Sequence, residues 1–182
     1  MNVLGLAGWS GSGKTTLLTA LLPLFVARGL TVSTIKHAHH EFDLDQPGKD
    51  SWRHRQAGAR EVMIAGGARW ALLHEADPRR RGEEPGLEAL LARLSPVDLV
   101  LVEGFKSSPH PKIEVYRPSL GQPPLWPGRA DVVAVASDAD QAGDAALAGC
   151  GRVVLALDRP DGIVDWAVRR FENAAAHTAE LE

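Results

Sequence analysis

Apolar positions along this chain follow two spacings in turn. The opening run Asn2 to Ala7, NVLGLA, has the length of a buried strand. Leu17, Leu18, Leu21, Leu22 and Phe25 then recur three and four residues apart. That spacing predicts a helix from Lys14 to Arg28, with Gly29 as its stop and Pro23 as a kink inside it. Thr31 to Ile35 reads as a β-branched strand ending at Lys36-His37, and a polar segment leads to a helix at Asp50 to Ala57. Glu61 to Ala65 and Arg69 to His74 read as a β-hairpin turning at Gly66-Gly67, and a loop then enters a helix ending near Leu94. Asp98 to Val102 is continuously apolar after its first residue, as a central parallel strand covered on both faces requires. Lys112 to Tyr116, Asp131 to Ala136 and Arg152 to Leu157 add strands, residues 118–130 form a Pro/Gly-rich loop, and a helix from Gly162 to Phe171 closes the pattern. Strands alternating with helices predict an α/β fold, a mainly parallel sheet flanked by helices with an extra β-hairpin. One domain over residues 1–172 and a frayed tail at 173–182 are expected.

The stretch GWSGSGKTTLL, residues 8–18, lies between the first strand and the first helix. Gly8, Gly13, Lys14 and Thr15 complete the phosphate-binding P-loop pattern G-x-x-x-x-G-K-[ST], so the predicted fold is of the P-loop NTPase type. Glycines let backbone N–H groups converge on a phosphate, and the N-terminus of the following helix adds partial positive charge. Gly11, Ser12, Gly13, Lys14, Thr15 and Thr16 are the candidate nucleotide-binding residues. Lys14 is expected at the β- and γ-phosphates and Thr15 on Mg²⁺. Such a site also needs an acidic residue at the end of a neighbouring strand, and DLVLVEG supplies Glu103, followed by Gly104 for a sharp exit. Lys14 and Glu103 are the candidate catalytic pair, and Thr15 and Glu103 the first metal ligands.

Composition narrows the partners. The chain has 182 residues, 45% hydrophobic and 24% charged, with a formal net charge of −3, so no basic surplus points to nucleic acid. The triplet Arg79-Arg80-Arg81 is flanked by Asp77, Glu83 and Glu84 and reads as a solvated loop. Cys150 is the sole cysteine, which excludes an intrachain disulfide. The longest apolar run, Leu17 to Ala27, is too short to span a bilayer, so no membrane partner is expected and the cytoplasm is the expected location. Fifteen arginines stand against five lysines, at positions 14, 36, 49, 106 and 112. The four outside the P-loop follow the second strand or bracket the loop after Glu103. Lys36 and Lys106 sit just past strand ends, where open α/β sheets bind ligands.

The segment KHAHHEFDLDQPGKDSWRHR, residues 36–55, gathers His37, His39, His40, Asp43 and Asp45, then Lys49, Arg53 and Arg55. Three readings compete: a transition-metal site, a nucleotide-sensing loop whose aspartate joins the Mg²⁺ shell, with Asp45 as the candidate, and a polar loop without a ligand. His37, Asp43, Lys49, Arg53 and Lys106 are candidate contacts to a cofactor or its phosphate.

Together GWSGSGKTTLL, IKHAHHEFDLDQPGKDSWRHRQAGA, DLVLVEGFK and KIEVYR resemble the molybdopterin-guanine dinucleotide biosynthesis adapter family, MobB, over about residues 2 to 170. The resemblance implies binding and weak hydrolysis of GTP. It further implies assistance to the guanylyltransferase that converts molybdopterin cofactor into its guanine dinucleotide form, and a homodimer with β-strands at its interface. Gly11 to Thr16 map onto the family's nucleotide loop and Glu103 onto its acidic strand end, while His37, Asp43, Asp45, Lys49, Asp50 and Arg53 match its characteristic segment.

Two features depart from ordinary GTPases. The guanine-reading N-K-x-D sequence is absent; Asp138, after the strand VVAVAS, is the favoured substitute and Asp158, after VVLAL, the second candidate. No D-x-x-G follows an acidic strand end and no clear glutamine orients water, so at most slow hydrolysis is expected. Two other classes remain: a nickel or zinc metallochaperone GTPase, motivated by the histidines, and a small-molecule kinase with DPRRRGEE as its lid.

Overall fold

The computed structural model describes residues 1–38, 44–77, 79 and 84–179. They fall into two compact units, residues 1–37 with 86–182, and residues 38–85.

The larger unit is built on six strands: β1 (Asn2–Ala7), β2 (Val32–Lys36), β5 (Leu99–Glu103), β6 (Lys112–Tyr116), β7 (Val132–Ser137) and β8 (Val153–Ala156). They stand in the order β2-β5-β1-β6-β7-β8, and every neighbouring pair runs parallel. Side chains alternate across the sheet, so each strand feeds two cores. Leu99, Leu101, Ile113, Val115, Ala134 and Ala136 pack with α1 (Lys14–Ala27) and α5 (Pro160–Ala179) on one face. On the other, Val100 and Val102 pack with Leu87 of α3 (Leu87–Leu91), while Val132 and Val135 pack with Leu147 of α4 (Ala145–Ala148). Burial on both faces explains why β5 reads LVLV without alternation.

The smaller unit carries α2 (Asp50–Gln56) and the antiparallel hairpin β3 (Glu61–Ala65) with β4 (Trp70–His74), paired Glu61 to His74 through Ala65 to Trp70. The parallel sheet and the separate hairpin agree with the architecture expected from the sequence. Two boundaries differ. α5 continues through the Ala-rich segment NAAAHTA to Ala179, beyond the expected end at Phe171. α4 was not anticipated, because four residues are too few for a periodic signal; Asp144 initiates it by accepting the N–H groups of Ala146 and Leu147.

Strand β6 is buried along its whole length although it holds Lys112 and Glu114. Lys112 donates to the carbonyls of Ser108 and His110 and to Asp131 at 2.7 Å. Arg129 grips the same carboxylate, Nη2 at 2.7 Å and Nε at 3.2 Å, and also donates to the Lys106 carbonyl. The segment after Glu103 is therefore tied down by two cations sharing one aspartate. Lys112 thus serves structure.

Glu114 accepts the Leu125 N–H at 2.8 and 3.0 Å; burial pushes its carboxyl up, and backbone N–H groups pull it partly back. Gly5 is a spacing requirement, since a Cβ there would collide with the His110 ring. Burial pushes that imidazole down to about 4, and neither ring nitrogen has a hydrogen-bond partner.

Candidate functional site

Because the six strands are parallel, all their carboxyl ends meet one edge, which is where ligands bind in open α/β sheets. β1 delivers Gly8, β2 ends at Lys36, β5 at Glu103, and β6, β7 and β8 are followed by Arg117, Asp138 and Asp158. The larger unit thus assembles most of the residues singled out by sequence.

The P-loop takes positive φ at Gly8, Gly11 and Gly13, at 141°, 79° and 95°. A Cβ on Gly8 would sit 2.6 Å from the Val115 carbonyl and 2.7 Å from Ser12 Oγ, so only glycine fits this approach to β6. Gly13 caps α1 in the left-handed conformation, and Thr16 lies in the helix's first turn. Ser12 is buried, and its Oγ has no hydrogen-bond partner.

Lys14 Nζ donates to the carbonyls of Gly8 at 3.1 Å and Trp9 at 2.8 Å, curling over the loop. Burial lowers its pKa, Glu103 opposes this, and the charges of Lys106 and Lys36 lower it further. Lys36 and Lys106 are therefore close enough to bear on the Lys14 charge. Thr15 Oγ1 lies 2.9 and 3.1 Å from the two Glu103 oxygens, and Lys36 Nζ is 3.7 Å from Oε2. A hydroxyl against a mostly buried carboxylate is a hard oxygen pair of the type Mg²⁺ takes. The arrangement fits the ion that the P-loop pattern implies.

Gly104 has φ 96°, and a Cβ there would lie 2.5 Å from His37 Cβ; Phe105, at φ 48°, stacks edge-on against the His37 ring with centroids 5.1 Å apart. This sharp exit carries Lys106 over the Trp9 ring at 5.8 Å, and Trp9 is itself fixed by its indole N–H donating to the Pro123 carbonyl at 2.8 Å.

Further along the edge, Asp138 and Asp158 line one cavity of about 510 Å³, with Ser137, Asp140 and Ala156 among its walls. Sequence reasoning missed the residue that joins this cavity to the P-loop. Arg117 donates from Nε to the Ser12 carbonyl at 3.0 Å and pairs through Nη1 with Asp138 Oδ2. Its place one residue past a parallel strand was the available signal.

The smaller unit holds the remaining described candidates. Asp45 is buried, accepting from Ser51 Oγ at 2.6 Å and pairing with Arg55 Nε at 3.4 Å. Lys49 caps α2, and Asp50 and Arg53 lie exposed on that helix. His39, His40 and Asp43 lie outside the described residues. Among the described residues, no group of three or more His, Cys, Asp or Glu side chains is arranged to hold a metal ion.

Residues 3–138 match the family described as MobB, Molybdopterin guanine dinucleotide synthesis protein B. The chain belongs to the MobB family. Among its MobB relatives, it is 42% identical over 170 residues to the molybdopterin-guanine dinucleotide biosynthesis adapter protein of Escherichia coli K12, covering 91% of each chain. It is 45% identical over 123 residues to the protein of that name from Haemophilus influenzae, covering 66% of each. The crystal structure of a MobB homologue from Bacillus stearothermophilus superposes with a TM-score of 0.64 at 27% identity, over 95% of this chain and 99% of that one. The MobB fold is thus the one expected from sequence. No helix among the described residues is long and apolar enough to cross a membrane.

Proposed function

We propose that this chain is a GTP-binding adapter of molybdopterin guanine dinucleotide biosynthesis that assists the molybdenum cofactor guanylyltransferase in the cytoplasm. The observation that carries the pathway is the extended sequence match to relatives named for that adapter role. The nucleotide reading rests on the Lys14–Thr15–Glu103 cluster at the sheet edge. Residues 1–172 act as one nucleotide-binding domain in this proposal.

The backbone N–H groups from Gly11 to Thr16 hold the phosphates, and Lys14 turns from the loop carbonyls to the β- and γ-phosphates. Thr15 and Glu103 hold Mg²⁺, which would offset phosphate charge. Asp45 would join that shell only on leaving Ser51 and Arg55. Lys106 meets the phosphate or the incoming molybdopterin, and His37, Asp43, Lys49 and Arg53 are assigned to the same ligand on the family segment alone. Asp138 reads guanine, accepting the N1–H and amino hydrogens. Hydrolysis is slow because the sequence offers no clear glutamine to orient the attacking water.

A homodimer through the hairpin also belongs to the proposal. Met63, Ile64, Trp70 and Leu72 are exposed there, at 62%, 45%, 65% and 40%, and a second copy would cover them. The Ni²⁺ or Zn²⁺ chaperone and kinase alternatives have no comparable support.

The test is a reconstituted guanylyltransferase reaction at limiting GTP. Adding this chain is expected to raise the yield of guanine dinucleotide several-fold, and Lys14→Ala protein is expected not to. An unchanged yield, with no complex between the two proteins, would remove the adapter assignment.

A further inference from the structure

The Arg117 side chain touches both the phosphate loop and the wall of the cavity that Asp138 lines. Its guanidinium meets three points: Nε donates to the Ser12 carbonyl at 3.0 Å, Nη1 pairs with Asp138 Oδ2, and Nη2 lies 3.6 Å from the position a Cβ on Gly13 would take. The pair is partly exposed, at 34% for Arg117 and 39% for Asp138. Ion pairs so exposed add little to stability, so the contact is not explained by folding.

We infer that Arg117 is a positioning residue that couples guanine selection to the P-loop, by anchoring one oxygen of the Asp138 carboxylate beside the cavity. The inference rests on the guanine-nucleotide reading above. A free aspartate has two rotatable bonds and many carboxylate orientations, whereas accepting two N–H groups from one base edge requires a single plane. The guanidinium narrows that freedom by anchoring one oxygen, Oδ2, and its own orientation is set by the Ser12 carbonyl. Oδ2 keeps a lone pair beyond the one used by Arg117, and Oδ1 receives no arginine hydrogen, so both oxygens can still accept from guanine.

The surrounding loop is organised to the same end. Ser137 Oγ accepts the Ala139 N–H at 3.1 Å, and Asp140 accepts that of Gly143 at 2.6 Å, so the backbone around Asp138 is tied down on this wall of the cavity. Asp158 lines the same cavity, but Arg117 pairs with Asp138, which singles out Asp138 as the carboxylate tied to the phosphate site.

The experiment measures dissociation constants of GTP, ITP, ATP and inorganic tripolyphosphate for the wild type, Arg117→Gln and Arg117→Lys, with Mg²⁺ present. ITP lacks the 2-amino group, so the GTP:ITP ratio reports the base contact alone. Wild type is expected to prefer GTP, and Arg117→Gln to lose about tenfold of that ratio, the worth of one charged hydrogen bond. Tripolyphosphate affinity is expected to stay within about twofold of wild type, the experimental error of an additive site. Arg117→Lys keeps the charge without the fork, so it should lose part of the ratio; it serves where the glutamine variant does not fold. If the ratio survives in both variants, or if GTP and tripolyphosphate weaken equally, Arg117 is at most a phosphate contact and the inference falls. A wild type without preference for GTP over ITP or ATP overturns the guanine reading itself, and the inference with it.

Discussion

Replacing Lys14 by alanine is expected to weaken GTP binding about a hundredfold, equivalent to about 3 kcal/mol, while the fold survives. The reason lies in where the ammonium stands. Its Nζ is held over the loop by the Gly8 and Trp9 carbonyls, within reach of any phosphate seated on the α1 N-terminus. Burial and two neighbouring lysines disfavour its charge, so the site gains most when phosphate oxygens replace those carbonyls. Alanine is the best helix former and Lys14 begins α1, so the helix itself is not threatened. Arginine is not a conservative replacement, because a planar fork does not fit where a point charge is wanted. The check is a titration of both proteins with GTP beside their thermal melts; an affinity within about threefold of wild type, less than the smallest charged hydrogen bond would give, would deny Lys14 this role.

The second large effect concerns stability. Asp131→Ala removes the carboxylate from a fully buried ammonium, Lys112, and from Arg129. An uncompensated buried charge costs about 3–5 kcal/mol, a large share of a typical domain's stability. Adding Lys112→Met to that variant is expected to restore much of the loss, because it removes the stranded charge as well. Acid should expose the same pair. The Arg129 hydrogen bond, together with Lys112, holds the Asp131 carboxyl well below its usual 3.8. Its contribution is therefore full above that value in the unfolded chain and is lost as pH falls below it. Denaturant titrations between neutral pH and acid check both statements. If Asp131→Asn keeps the wild-type acid slope, the shared carboxylate is not the source.

The sheet was legible because buried parallel strands are short apolar runs separated by helical spacing, as VLGL, LVLV and VVAVA illustrate. The phosphate site was legible for a different reason: Gly8, Gly13, Lys14 and Thr15 are local in sequence, and Glu103 ends a strand that a P-loop protein must have. What sequence could not give were contacts between distant positions. Arg117 meets Ser12 across 105 residues, and Lys112 meets Asp131 across a loop, so neither pairing leaves a periodic trace. In KIEVY every position is buried, and the charged side chains are met by partners that the sequence does not mark. Asp45 is a similar case. It was a candidate Mg²⁺ ligand by its place among histidines and aspartates, and its contacts with Ser51 and Arg55 could not be read from that segment.

Guanine-linked phosphate binding at the P-loop edge is the central claim, and one titration tests it most directly. Isothermal calorimetry of the wild-type chain and of Asp138→Ala would compare GTP with ATP, each with Mg²⁺. One saturable GTP site is expected in the wild type, preferred over ATP by about tenfold or more, as a pair of charged hydrogen bonds to the base supplies. The preference is expected to disappear in Asp138→Ala while ATP affinity is unchanged. Equal wild-type affinities for the two nucleotides would contradict the claim.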